Sequence, residues 1–576
     1  MATFILHPSS FILSSLFSFT LFFLCAAIVG PTTSAADSGE TPDAQARRFA
    51  KNYDATIRPL EIETSRRWWT ANVSGKDEDY AAKEEAETRL DLALSDPKAF
   101  AQLKAIREAR PSDPTLAREI EVLYLDYLPR QIDPELLKQI NAKSNAVEKA
   151  FNVYRARMGG KELTDNEVRT VLRKSVDSAA RRAVWEASKG VGPVIAPELK
   201  LLVGLRNRSA RMLGFKDYHV MQLALGEQSQ EQVLKLFDEL DALTRAPFHT
   251  AKAELDAALA SRYGIAVKDL RPWHYEDPFF QEAPVVSATD LDRIYKPLDI
   301  LKLCRTFYAG IGLPIDDVLR RSDLYERAGK NPHAFTTDID REGDVRVLAN
   351  IVPNREWLAT MLHELGHSVY SSKNIPHSLP WALRTEAHIL TTEGVAMMWE
   401  KFADSAEWLA AMGVHVPDPQ QFNATMGKLR RNQLLIFSRW CQVMFRFEKE
   451  LYGNPDQDLN RRWWELVEKY QEIRRPEARN APDYASKIHI VIAPAYYHNY
   501  MLGQLFASQV HHAIAREVLH GADPATVIYV GNPAAGAFMK QKVFEPGRTL
   551  SWNELTRHAT GEDLSAKAFA ADFQSK

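Results

Sequence analysis

Apolar residues recur at spacings of three and four along most of this chain, beginning at about residue 42. This period places them on one face of a helix. One such stretch carries Val233, Leu236, Phe237, Leu240 and Leu243. The alternation typical of strands is scarce, and residues 346–352 are its best example. No longer internal repeat stands out. The pattern therefore predicts an all-α fold with a minor short β element.

Proline and glycine lie in short connectors, such as residues 271–273 and 417–419. None of these resembles a flexible linker between independent units. The length of 576 residues alone would suggest several domains. We nevertheless predict a single α-helical domain over residues 37–576.

The N-terminal segment, residues 1–36, contains no Asp, Glu, Lys or Arg. An apolar run over residues 16–29 is followed by the small residues 34–36, and polar sequence starts at Asp37. This pattern predicts a secretory signal peptide over residues 1–36, and hence a periplasmic or extracellular protein. The alternative is an uncleaved membrane anchor, because residues 11–30 are nearly long enough to span a bilayer.

Composition narrows the classes of partner. The chain is 45% hydrophobic and 26% charged, with a formal net charge of −3 and no long basic run. Acidic and basic residues are interspersed, which is typical of solvated helix faces. Nucleic acid is therefore not expected as a partner. Cys304 and Cys441 lie in apolar surroundings, so we expect them to be buried core residues.

Residues 363–367 read His-Glu-Leu-Gly-His, and Asn354 predicts the start of a helix that contains them. His363 and His367 lie one turn apart on one face, so both imidazoles reach one metal ion. Glu364 is rotated by about 100° from His363, beside a water on the metal rather than on the metal itself. Zinc lowers the pKa of such a water, and Glu364 can take its proton and pass it to a leaving amine. The motif predicts a metallopeptidase with one Zn²⁺ per chain.

A third zinc ligand is needed, because catalytic zinc sites usually have three protein ligands and one open position. Glu386 and Glu393 follow His367 by 19 and 26 residues. Both fall in a predicted helix over residues 383–403, and their seven-residue spacing places them on one face. Periodicity alone leaves both candidates open.

Further segments carry a resemblance to a known family. Their positions are residues 333–335 (His-Ala-Phe), 463–464 (Trp-Trp), 469–471 (Lys-Tyr-Gln), 487–489 (Lys-Ile-His) and 497–500 (Tyr-His-Asn-Tyr). Together with the metal-motif helix, they resemble the angiotensin-converting-enzyme family of zinc peptidyl-dipeptidases, in a bacterial-type version. This family is related to the thimet-type oligopeptidases. The Lys-x-His and Tyr-x-x-Tyr pair is the most specific part of the resemblance, which extends over most of the chain after the signal segment.

The resemblance implies a large helical ellipsoid split by a deep central channel, with the zinc buried inside. It implies that Glu393 is the third ligand, because residues 393–396 look like the family's Glu-Ala-x-Gly stretch. It also implies that His489 and Tyr500 donate hydrogen bonds to the oxyanion that develops during hydrolysis. Pro494 predicts a helix start, after which Tyr497 and Tyr500 would lie one turn apart on one face.

Substrate binding is implied in the same way. Lys487 would pair with the C-terminal carboxylate of an oligopeptide, and Tyr497 would assist. His333 and the Ala334 backbone would hold the peptide in an extended conformation, as an added strand. The implied reaction is the release of C-terminal dipeptides.

The chain also departs from the family pattern. One more residue separates His489 from Tyr500 than in the animal enzymes, so Tyr496 is an alternative to Tyr497. Asn499 stands where the animal enzymes carry a chloride-linked arginine, and Met397 where the family often has an aspartate behind the zinc ligands. No match appears near residues 273–275 for the glutamine with which the animal enzymes bind the substrate carboxylate.

These departures keep two other hypotheses open. One is an endo-acting oligopeptidase or a carboxypeptidase of the same superfamily, with the same zinc chemistry. The other is a catalytically silent peptide-binding protein, although such a binder would need neither Glu364 nor the two proposed oxyanion donors. The partner expected in every case is an oligopeptide. No membrane is expected as a partner unless the N-terminal segment is an uncleaved anchor.

Overall fold

The computed structural model describes residues 40–284 and 292–573. The predicted signal peptide, residues 1–36, lies outside the described residues. Within the described ranges, no helix combines the length and the apolar character needed to cross a bilayer.

Twenty-four α-helices lie in these ranges, so the predicted all-α fold is confirmed. The first six are α1 (Pro42–Thr56), α2 (Arg58–Ser74), α3 (Asp77–Leu94), α4 (Pro97–Ala109), α5 (Pro114–Tyr127) and α6 (Pro134–Val153). The next eight are α7 (Asp165–Lys174), α8 (Ser178–Lys189), α9 (Val191–Met212), α10 (Tyr218–Leu225), α11 (Gln230–Tyr263), α12 (Asp292–Tyr295), α13 (Ile300–Gly310) and α14 (Asp316–Arg321). The last ten are α15 (Arg355–Val369), α16 (Ile389–Glu400), α17 (Ala406–Ala411), α18 (Pro419–Gly453), α19 (Leu459–Gln471), α20 (Ile488–Ile492), α21 (His498–Glu517), α22 (Pro533–Met539), α23 (Trp552–Thr560) and α24 (Lys567–Ala571).

Two antiparallel hairpins make up the β structure of the described residues. The first pairs β1 (Ala156–Met158) with β2 (Lys161–Leu163), and the second pairs β3 (Phe335–Asp338) with β4 (Val345–Leu348). The second hairpin confirms a strand near the metal-motif helix, although the strand begins and ends earlier than residues 346–352. The first hairpin is short and carried no clear alternation in the sequence.

Several helices begin at an Asp-Pro pair. In α4, α5, α6 and α18 the aspartate side chain accepts a hydrogen bond from an amide of the first turn, and proline follows it at the first helical position. Proline has no N–H to leave unsatisfied there, and its fixed φ suits the helix. Local sequence therefore sets these four helix starts.

The apolar stripes pack into one large core that extends from α6 to α24. In α11, four of the five predicted stripe residues are buried, whereas Leu243 is 39% exposed. A smaller apolar cluster joins α1, α3, α4 and α5 to Trp381 and Ala382. Cys304 and Cys441 are buried free thiols, as expected.

Three helices, α15, α16 and α21, pack closely because glycine lies at their crossings. A Cβ added at Gly366 of α15 would meet the Cα of Ala396 in α16 at 2.8 Å. A Cβ added at Gly394 of α16 would meet the carbonyl oxygen of Gly503 in α21 at 2.7 Å. Any side chain at either position would push these helices apart. The close packing brings the metal-motif residues next to the N-terminal end of α21.

A cleft of about 590 Å³ runs beside these helices. Its walls come from α2, α3, α5 and α6, from α10 and β3, and from the segment 491–496. Many charged side chains line it. His363, His367 and Glu393 are not among its lining residues, so the channel with a buried zinc that the resemblance implies stays a prediction.

Candidate active site

The metal-motif helix α15 is oriented by its cap and its apolar face. The Asn354 side chain accepts a hydrogen bond from the Trp357 amide, which confirms the predicted helix start. Leu358, Leu362 and Leu365 are fully buried on the core side. The histidines of the motif consequently turn toward α16.

His363, His367 and Glu393 form a group whose potential ligand atoms all lie within 4.8 Å of one another. The two histidine Nε2 atoms are 3.2 Å apart, and Nε2 of His363 is 3.7 Å from Oε2 of Glu393. Two imidazoles and one carboxylate are a usual donor set for catalytic zinc, with one position left for water or substrate. The residues present therefore fit a zinc ion.

The outer ring nitrogens of both histidines are hydrogen-bonded. Nδ1 of His363 lies 2.7 Å from Oε2 of Glu400, and Nδ1 of His367 lies 2.7 Å from Oγ1 of Thr392. Such partners fix the ring orientation and leave Nε2 for the metal. No sequence pattern indicated these two partners, although Thr392 adjoins Glu393 and Glu400 lies two turns further along α16.

Glu386 does not belong to this group. The helix predicted over residues 383–403 is shorter in the structure, because His388 caps α16 and its Nδ1 accepts a hydrogen bond from the Leu390 amide. Glu386 therefore lies in an irregular segment and lines the cleft instead. The two glutamates do not share a helix face after all.

Glu364 is 1% exposed. Its carboxylate accepts a hydrogen bond of 3.1 Å from Oγ1 of Thr336 in β3, and the same hydroxyl lies 2.6 Å from the Glu364 carbonyl oxygen. Burial raises the pKa of Glu364 to about 7, against the opposing effects of His363 and Thr336. A carboxylate with such a pKa suits proton transfer near neutral pH.

The ring of Tyr497 lies between His489 and Tyr500 and contacts both. The His489 ring centroid is 4.9 Å from that of Tyr497, and Tyr497 is 5.4 Å from Tyr500. Burial holds the pKa of His489 well below its ordinary value and that of Tyr500 well above, and Glu393 contributes to the Tyr500 shift. Both groups therefore keep a neutral N–H or O–H donor at physiological pH. Neither ring nitrogen of His489 has a hydrogen-bond partner in the described protein.

Lys487 is 6% exposed, with its ammonium group inside an aromatic pocket. Nζ lies 5.2–5.5 Å from the ring centroids of Phe279, Trp440 and Tyr497. It donates a hydrogen bond to Oε1 of Gln281, and the Tyr497 hydroxyl lies 3.4 Å from the same oxygen. Burial lowers the pKa of Lys487 to about 8, although nearby Asp277 partly opposes this. Lys487, Tyr497 and Gln281 thus form one buried polar cluster.

Gln281 is the residue of this pocket that the sequence did not reveal. It lies in an irregular segment after α11, and its amide donates to Oδ1 of Asp277. Gln471 of α19 fixes the segment by donating to the carbonyl oxygens of Phe279 and Phe280. The Asp277-Pro278 pair signals a turn, but no periodicity indicates what that turn faces.

The segment before β3 carries His333 and Ala334. Ala334 is buried, whereas His333 is exposed and its amide bonds to Oδ1 of Asn331. In the described residues β3 pairs with β4 alone, and Thr336 and Thr337 line the cleft. Within the described residues, the other edge of β3 therefore has no strand paired with it.

The structure also places the residues at which the chain departs from the family pattern. Tyr496 faces the cleft and packs on Tyr500 at 5.4 Å, so Tyr497, not Tyr496, lies at Lys487. Asn499 accepts a hydrogen bond from the Gln228 side chain at 3.0 Å. Met397 is buried in α16.

Comparison with known proteins places these features in a family context. A family model described as angiotensin-converting enzyme matches residues 40–264 and 278–575. Angiotensin-converting enzyme of Mesocricetus auratus is 22% identical over 574 residues, which is 92% of this chain and 42% of that protein. Angiotensin-converting enzyme-like protein Ace3 of Mus musculus is 21% identical over 572 residues, or 92% of this chain and 76% of that protein. Angiotensin-converting enzyme of Theromyzon tessulatum is 20% identical over 318 residues, about half of each chain. The chain thus spans less than half the length of the Mesocricetus enzyme.

Proposed function

Because this chain belongs to the angiotensin-converting enzyme family of zinc metallopeptidases, we propose that it releases dipeptides from the C-terminus of oligopeptides. The observation that carries this proposal is the contact chain between the metal cluster and the carboxylate pocket. Tyr500, close enough to Glu393 for that carboxylate to shift its pKa, packs on Tyr497, and Tyr497 packs on Lys487. The two contacts measure 5.4 and 5.2 Å. Two residues of extended peptide are about 7 Å long, which is comparable with the separation that these two contacts bridge between Tyr500 and Lys487.

The ligands in this proposal are His363, His367 and Glu393. Bound zinc would polarise the scissile carbonyl group and acidify a water. Glu364 takes the proton of the attacking water and later gives it to the leaving amine. Its position one residue after His363 and its hydrogen bond to Thr336 support this role.

His489 and Tyr500 donate hydrogen bonds to the oxyanion. Both are buried and neutral, and a donor that is already desolvated costs little reorganisation when charge develops. The His489 ring nitrogens have no hydrogen-bond partner among the described residues, which supports a substrate atom as their partner.

Lys487 binds the free carboxylate of the substrate, with Gln281 and Tyr497 as the polar neighbours. The aromatic walls exclude water, which strengthens the ion pair. His333 and the Ala334 backbone, at the start of β3, guide the peptide along the cleft. A cleft of about 590 Å³ suits an extended chain rather than a folded protein.

Export of the mature protein is the remaining part of the proposal, and the apolar pattern of residues 1–36 supports it. N-terminal sequencing of protein from the extracytoplasmic fraction tests it: a start near Asp37 is expected, and retention of the apolar segment would contradict cleavage.

Mass spectrometry of the products from one unblocked decapeptide tests the activity. We expect successive C-terminal dipeptides, and none from the Glu364→Gln variant. Internal fragments or single amino acids would favour the oligopeptidase or carboxypeptidase alternative. Bound but uncleaved peptide would favour a silent binding protein.

A further inference from the structure

The segment 493–497 joins the helix of His489 to the helix of Tyr500. It contains Ala495, whose φ is +56°. A Cβ makes this left-handed region unfavourable, and a non-glycine residue stays there only if its surroundings hold it. The predicted helix start at Pro494 is wrong for this reason: the left-handed turn intervenes, and α21 begins at His498.

A buried carboxylate holds this turn. Glu448 of α18 is 1% exposed, and its Oε1 accepts a hydrogen bond of 2.9 Å from the Ala495 amide. Burial raises the pKa of Glu448 to about 8, and a buried carboxyl group is costly unless hydrogen bonds satisfy it. The strained residue and the buried carboxyl group therefore meet in one hydrogen bond.

A buried arginine holds the segment on its N-terminal side. Nη1 of Arg206 in α9 lies 3.5 Å from the Val491 carbonyl oxygen and 3.1 Å from the Tyr452 hydroxyl of α18. The end of α20 is thereby tied to α9 and α18. Because the end of α20 is fixed, the backbone conformation at Ala495 determines the positions of residues 496–500.

Those residues include three tyrosines whose rings meet edge to face. Tyr496 and Tyr497 each lie 5.4 Å from the Tyr500 ring, nearly perpendicular to it, and Tyr497 also contacts His489. A change of φ at Ala495 would turn Tyr496 and Tyr497 and shift the start of α21. Tyr500 would then move relative to His489.

We propose that Glu448 is a positioning residue whose hydrogen bond to the Ala495 amide holds the left-handed turn and so sets the spacing of His489 and Tyr500. This inference rests on the proposed function, in which both residues donate to the oxyanion. Glu448 itself touches neither substrate nor metal in this account.

Steady-state kinetics of Glu448→Ala and Glu448→Gln tests the proposal. A displacement of about 1 Å in a catalytic group can cost on the order of 100-fold in rate. We expect Glu448→Ala to lower kcat at least tenfold. Glu448→Gln should retain most of kcat, because the glutamine amide oxygen can accept the same hydrogen bond. Wild-type kcat in Glu448→Ala, or an equal loss in both variants, would overturn the proposal.

The Ala495→Gly substitution separates positioning from a general loss of packing. Glycine adopts positive φ without the Cβ penalty, so it needs the Glu448 bond less. Ala495→Gly alone should resemble the wild type, and adding it to Glu448→Ala should recover at least threefold in kcat. A double variant no faster than Glu448→Ala would contradict the proposed role.

Hydrogen exchange of the peptide that covers residues 491–497 gives a readout independent of activity. We expect faster exchange of the Ala495 amide in Glu448→Ala than in the wild type and in Glu448→Gln. If the wild type cleaves no peptide, the proposed function fails, but this measurement still decides whether Glu448 holds the turn. Equal protection in all three proteins would overturn the inference.

Discussion

The metal cluster (His363, His367, Glu393) and the proposed carboxylate pocket (Lys487, Tyr497, Gln281) are linked by ring contacts through Tyr500, yet the chain builds them differently. The cluster comes from α15 and α16, which pack tightly at Gly366 and whose ligands are fixed from behind by Thr392 and Glu400. The pocket joins Gln281 to Lys487, which are 206 residues apart in sequence, through irregular segments rather than long helices.

This difference suggests that the two regions have separate roles, one in the reaction and one in peptide selection. Two packed helices hold the reacting groups rigidly, as precise chemistry requires. The pocket depends on the segment after α11, which carries Gln281, and on Lys487 just before α20, so changes at these two positions should alter which peptides are selected more than whether the metal binds. Substitutions in the metal cluster should stop turnover. Substitutions in the pocket around Lys487 should instead change how turnover depends on the substrate's C-terminus.

The largest effect is expected for Glu364→Gln. Glutamine fills the same space and can still accept the Thr336 hydrogen bond but cannot take a proton, so kcat should fall on the order of 10²–10⁴-fold with zinc retained. Glu356→Gln, in the first turn of the same helix, is the matched control and should remain active. The measurement is kcat together with zinc content; near wild-type kcat in Glu364→Gln would remove the proposed base.

Zinc affinity should be the next most sensitive property. Glu393→Gln should weaken zinc binding by more than the roughly 10–100-fold typical of residues behind the ligands. Glu386→Gln is the control, because Glu386 lines the cleft outside the cluster. Competition with a chelator measures both; zinc loss in Glu386→Gln alone would reverse the choice of ligand.

The metal cluster and the pocket also differ in how much of each can be predicted from the sequence. Helical spacing alone pairs His363 with His367, because neighbours at four residues share a face. It does not choose between Glu386 and Glu393; the resemblance does, and the structure separates them because α16 starts only at Ile389. Gln281 escapes prediction because a residue in an irregular segment has no period, and its partner Lys487 is remote in sequence.

A smaller effect is expected from pH. Lys487 carries its charge below its pKa of about 8 and loses it as the pH rises through that value. The carboxylate of a free-acid peptide is ionised throughout this range. The ratio of kcat/KM for a free-acid peptide to that for its amide should therefore fall above about pH 8, by up to roughly tenfold per pH unit. The ratio cancels pH effects common to both substrates, and a ratio that stays flat up to pH 10 would contradict the charge assignment.

The smallest effect is expected from chloride. Asn499 stands at the position of the chloride-linked arginine of the animal enzymes, and its amide oxygen already accepts a hydrogen bond from Gln228. A neutral amide pair does not hold an anion as a guanidinium does. Adding chloride at fixed ionic strength should change kcat/KM by less than about twofold. A several-fold activation would show that an anion site exists elsewhere in the pocket half.

We propose above all that the Lys487 ammonium group binds the free carboxylate two residues beyond the cleaved bond. A partly desolvated charge pair of this kind contributes roughly 1.5–3 kcal/mol, or about 10–150-fold in kcat/KM. Amidation of the substrate and Lys487→Ala should each cause a loss of this size. The two losses should not add, because both remove the same pair.

The decisive measurement is kcat/KM of wild type and Lys487→Ala on one peptide as free acid and as amide. Lys469→Ala, an exposed lysine of α19, serves as the control and should keep the wild-type preference for the acid. The account predicts a preference of at least roughly tenfold in the wild type that disappears in Lys487→Ala. Equal rates on acid and amide in the wild type, or losses that add in full, would contradict it and favour the endo-acting oligopeptidase.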